Sequence, residues 1–141
     1  MSTSSLTNRI IIGKAIGFIL GAIGFFLIPV IFPDTPPMFR WAVWAWYITF
    51  GAFIGVMGIY TRHPVLNIPM PWWFRSGILG TWLNFVLYLF ISEPLTLAME
   101  TSFMAGWSPL WIVAEGAVIG LLIGYVATKF AGEGKALADN L

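Results

Sequence analysis

The chain has 141 residues, 59% of them hydrophobic and 9% charged, with a formal net charge of +1. A soluble domain carries about a quarter charged residues to cover its surface, so this composition excludes an ordinary water-soluble globule and makes lipid the expected solvent. Cysteine is absent and histidine occurs once, which excludes disulfides and thiolate chemistry; no metal or cofactor is expected. No basic patch is dense enough for nucleic acid.

Polar and proline-rich breaks divide the chain into four apolar spans. The first, 10–32, ends at Pro33, Asp34, Thr35, Pro36 and Pro37. Arg9 precedes it, as in a signal peptide. The run is too long for that, holds Lys14 and lacks a small-residue cleavage site, so it reads as a retained helix. The second span, 40–60, ends at Thr61, Arg62, His63 and Pro64. The third covers 72–92, before Glu93 and Pro94, and the fourth covers 109–130. Each holds roughly 20 residues, which at about 1.5 Å per residue matches a hydrocarbon core of about 30 Å. Lipid cannot satisfy open backbone groups, so the spans must be helical. The predicted fold class is an all-α membrane protein, one domain forming a four-transmembrane-helix bundle. The apolar segment 93–108 is expected at the outer interface, either as a short helix from a Ser92 cap to Gly106 or as an irregular loop.

With four spans, both termini and the 61–71 loop share one side. That side holds Arg9, Lys14, Arg62, Arg75, Lys129 and Lys135, whereas Arg40 stands alone on the other. Basic flanks concentrate on the cytoplasmic face, so both termini are expected inside a cell (inner or plasma) membrane. Trp72 and Trp73 fall at the inner boundary, and Trp41, Trp44, Trp107 and Trp111 near the outer one, as aromatic belts do.

Two stretches are alike: Gly51-Ala52-Phe53-Ile54-Gly55 and Gly116-Ala117-Val118-Ile119-Gly120. Each is followed by a tyrosine (Tyr60, Tyr125) and a basic residue (Arg62, Lys129), and the same offset relates Pro29 to Pro94. The pattern reads as two related helical hairpins in parallel repeat. Glycine, alanine and isoleucine are common in any membrane helix, which weakens that reading.

Glycines at four-residue spacing mark helix-packing faces: Gly13, Gly17 and Gly21; Gly51 and Gly55; Gly116, Gly120 and Gly124. Missing side chains let backbones approach closely where lipid supplies no hydrophobic drive. The spacing does not say whether the contact lies within the chain, in a homo-oligomer or with another membrane protein. In the third span Gly77, Gly80, Thr81, Asn84 and Tyr88 share a face expected to turn toward protein, leaving Leu79, Val86 and Phe90 to lipid.

Ionisable groups inside a membrane are costly and are functional candidates by default. Lys14 is near enough to the boundary to snorkel. Glu115 lies roughly 9 Å and Asn84 roughly 12 Å below the outer boundary, so they can share a layer with Tyr47 and Tyr88. That layer is a candidate proton or cation site; the blander role is structural hydrogen bonding, contributing about 1 kcal/mol or less. Arg62, His63 and Arg75 are candidate contacts to anionic lipid headgroups. No nucleotide loop, zinc helix or nucleophile elbow appears. The expected function is therefore non-enzymatic: a structural or accessory protein acting through glycine-mediated packing, or else an oligomeric transporter or channel built on Glu115 and Asn84.

Overall fold

The computed structural model describes residues 4–140, and among them the regular structure is all helical. Helix α1 covers Leu6–Ile31, α2 Pro37–Val56, α3 Trp72–Glu100 and α4 Trp111–Ala131. Short 3-10 turns follow α2 at Met57–Ile59 and α4 at Lys135–Asn140. All four long helices are apolar and long enough to span a membrane.

Local chemistry sets the ends. Ser5 caps α1 by accepting the Asn8 N–H at 3.1 Å, and prolines at 36–37 and 71 start α2 and α3 where a missing N–H costs nothing. Gly132, with φ of 73°, stops α4. The end of α3 differs from the sequence reading. Pro94 lies inside the helix, which continues to Glu100. Proline removes one backbone bond there, but the added turns bury Leu95, Ala98 and Met99 against Phe32, Met104 and Ile112. Packing outweighs the break. The segment 93–108 is thus two turns of α3 plus an irregular loop, with Leu97, Phe103 and Trp107 its exposed large apolar residues.

The helices pair as two hairpins, α1 with α2 and α3 with α4, joined mainly by α1 against α4. Gly13 and Gly51 face each other, and a Cβ on either would strike the other's carbonyl oxygen. Gly17 and Gly21 lie on Tyr47 and Trp44, and Gly55 on the backbone of Arg9 and Ile10. In the second hairpin Gly80 faces Gly116, and Gly120 and Gly124 lie on Ser76. All eight predicted packing glycines therefore meet another helix of the same chain.

The polarity is inside-out relative to a soluble protein. Arg9 and Asn84 are 0% exposed, whereas Phe26 is 70%, Val30 76% and Phe90 80% exposed. Water would penalise both halves of that arrangement; lipid favours both. Leu79 departs from the predicted lipid face and packs with Leu83 against the central cluster of Tyr47, Phe50, Ile54 and Ile123.

Candidate functional site: a polar layer beneath an apolar cavity

Three of the four residues predicted for a polar layer come together. Tyr47 of α2 donates its hydroxyl to Glu115 Oε2 of α4 at 2.9 Å. Asn84 of α3 donates Nδ2 to the Tyr47 hydroxyl at 3.3 Å and to the Ile112 carbonyl at 2.9 Å. Trp46, a residue the sequence reading did not select, donates Nε1 to Asn84 Oδ1 at 3.1 Å. An indole only donates, so it fixes which way the amide points, and both amide hydrogens are then spent on acceptors. The result is a directional chain, Trp46 to Asn84 to Tyr47 to Glu115, crossing three helices. Tyr88 is outside it: its ring stacks 6.4 Å from Phe85 beside the cluster of Phe32, Leu95 and Met99.

Sequence placed these groups because each interrupts an apolar helix. Asn84 also owes its position to glycine: its Cβ and Cγ rest on Gly116, where any side chain would displace it. Glu115, one residue from that glycine, is turned away from the α3 contact. Its Oε1 takes no hydrogen bond among the described residues.

A cavity of about 270 Å³ lies against this carboxyl, between the hairpins and in the half of the bundle away from the termini. Ile28, Phe39, Val43, Leu87 and Trp111 are typical of its wall; Glu115 is the only residue there with an ionisable carboxyl, and Tyr47 sits beside it. No basic side chain lines the space. The carboxyl has no charged partner in the wall, and a hydrogen-bond donor or cation placed in the cavity would supply a partner. No group of three or more potential metal ligands occurs among the described residues.

The other buried polar cluster is at the termini end and was missed as such. Arg9 donates Nε to the Gly55 carbonyl and Nη1 to Thr128 Oγ1, both at 3.1 Å, and Nη1 also to the Gly132 carbonyl. Its guanidinium fills the space left by Gly58. Arg75 donates Nη1 to the carbonyls of Tyr60 and Met70, at 2.9 and 3.0 Å, and pairs through Nη2 with Glu133 at 2.7 Å. Arg75 is therefore corrected: a side chain only 3% exposed and held by three acceptors does not reach lipid headgroups. A signal for Arg9 was present, because residues 9, 13, 17 and 21 share one face. Likewise Thr128 extends the stripe of Gly116, Gly120 and Gly124.

The two remaining headgroup candidates lie in the 61–71 loop. Arg62 holds Asn67 through Nε and Nη2, at 2.9 and 2.6 Å. His63 Nδ1 accepts the N–H groups of Val65 and Leu66 at 3.2 and 3.1 Å. Lys14 is exposed on α1, as a snorkelling side chain would be. Comparison with protein-family models, with curated proteins and with solved structures finds no match for this chain.

Proposed function

We propose that the protein is a multi-pass cell-membrane carrier for a small lipophilic solute bearing a cationic or hydrogen-bond-donating head. The head meets Glu115 and the apolar body fills the cavity above it. The observation that carries this reading is the coincidence of a single carboxyl with an otherwise apolar cavity. Its volume of about 270 Å³ sits just under the usual range of roughly 300–1,000 Å³ for small-molecule sites. Tyr47 and Asn84 hold the carboxyl in one orientation, which lowers the cost of organising the site on binding. The glycine faces, spent within the chain, give no comparable support to a role based on recruiting partners.

The orientation in this reading follows the basic flanks: both termini cytoplasmic, the cavity in the outer half. The two hairpins are read as a parallel repeat. Gly13 against Gly51 matches Gly80 against Gly116, and Gly55 on Arg9 matches Gly120 on Ser76. In these contacts α2 and α4 are related by 65 residues, α1 and α3 by 67. Pro29 and Pro94 are therefore two residues out of this register.

The test is a calorimetric titration of n-hexylamine and of 1-hexanol into protein-loaded nanodiscs, with empty nanodiscs subtracted. The amine should bind saturably, and Glu115→Gln should weaken it about tenfold, as expected for loss of a charged hydrogen bond. The alcohol should bind more weakly and be little changed by the substitution. No saturable amine binding, or equal binding to the variant, would remove Glu115 from any such role.

A further inference from the structure

The 61–71 loop and the C-terminal turn enclose a second concavity, of about 430 Å³, at the termini end. Its chemistry is opposite to that of the first. Arg62, His63 and Lys135 line it together with Thr61, Tyr60 and Asn67, and no carboxylate is in the wall. The nearest acidic groups along the chain are Glu133, already paired with Arg75, and Asp139, one turn beyond Lys135.

The basic groups are held in place. The loop doubles back on itself: Met70 N–H donates to the Thr61 carbonyl at 2.8 Å, His63 N–H to Ile68 at 2.9 Å, and Arg62 bridges to Pro69. Arg62 spends Nε and Nη2 on Asn67, leaving Nη1 for an external acceptor. His63 accepts two backbone N–H groups at Nδ1, so a neutral ring carries its proton on Nε2 and presents a donor there. Gly134 N–H donates to the carbonyl of Gly58, in the 3-10 turn just before the loop, at 3.0 Å, which brings the Lys135 turn beside it. Behind the pocket, Arg9 and Arg75 share one counter-charge, Glu133, and Arg9 Nη2 has no hydrogen-bond partner. The local field is therefore positive beyond the pocket's own residues.

We infer that this pocket binds a phosphate group, and that the phosphate belongs to an anionic lipid. Convergent Arg, Lys and imidazole donors with no carboxylate opposite them suit a phosphomonoester, whose oxygens accept several charge-assisted bonds at once. The lipid source follows from the loop tip. Val65 (82%), Leu66 (64%) and Ile68 (48%) are exposed apolar side chains on the same hairpin, and Trp73 is exposed just beyond it at the start of α3. Apolar residues beside a basic pocket set the pocket at headgroup level when the tip enters the interface.

Full-length protein in nanodiscs of phosphatidylcholine with added phosphatidic acid, examined by native mass spectrometry, tests this. Phosphatidic acid should be retained in preference to phosphatidylcholine. Lys135→Gln should weaken that retention about tenfold and Lys135→Arg should preserve it. Lys135 is exposed on a terminal turn, so its replacement leaves the bundle intact; Arg62→Gln provides a second, independent variant. Lys135-dependent binding of inorganic phosphate without lipid retention would support the phosphate site and overturn the lipid as its source. Equal retention of the two lipids with no phosphate binding, or retention unchanged in Lys135→Gln, would overturn the inference.

Discussion

Two buried polar clusters divide this bundle, and they differ in what they face. The arginine cluster at the termini end faces protein: Arg9 and Arg75 are clamped by backbone carbonyls, a hydroxyl and Glu133. The layer in the other half ends on a cavity, and its terminal carboxyl lines that space. Both clusters put polar atoms where lipid is the outer solvent, so both must satisfy their hydrogen bonds internally. Among the described residues each leaves one atom over, Arg9 Nη2 in the first and Glu115 Oε1 in the second, but only Glu115 lines a cavity in which a solute could supply the partner. A buried polar residue is thus ambiguous until the space beside it is known.

Mutations should separate the two. Arg9→Met has the largest expected effect on stability, because it strips donors from the Gly55 and Gly132 carbonyls and from Thr128 at the junction of α1, α2 and α4. A loss of about 3 kcal/mol is expected in denaturant titrations in mixed micelles, as for breaking a buried charged network. Amine binding per folded molecule should be unchanged. Tyr47→Phe should show the reverse balance. It removes one hydrogen bond to Glu115 and one acceptor for Asn84, and intramembrane bonds contribute about 0.6 kcal/mol on average. Stability should fall by no more than about 1 kcal/mol, while n-hexylamine affinity falls, though less than in Glu115→Gln. Equal stability losses for the two variants would erase the distinction between a clamp and a site.

Much of this was legible in the sequence, for identifiable reasons. Span length and the scarcity of charge place four helices, because hydrocarbon thickness and backbone satisfaction leave few alternatives. Glu115, Asn84 and Tyr47 were recognisable because each is a polar interruption at similar depth in an apolar run. Trp46 was not, since an indole in a membrane helix is as readily a lipid-facing residue. Arg75 was misplaced because flank position says which side of a membrane a cation favours, not whether it turns inward. The continuation of α3 past Pro94 depends on Leu95 and Met99 finding the Phe32 cluster, a tertiary contact with no local signature. The glycine stripes announced close packing, but only the assembled hairpins say with what.

The central claim is that the space above Glu115 receives a solute whose head the carboxyl recognises. A diazirine-bearing alkylamine, photolysed with the protein in bilayers and mapped by peptide mass spectrometry, tests it most directly. Labels should concentrate on cavity residues such as Val43, Leu87 and Trp111, compete with unlabelled n-hexylamine, and disappear from those positions in Glu115→Gln. Labels spread over the outward-facing Phe26, Val30 and Phe90, with no competition and no dependence on Glu115, would contradict it.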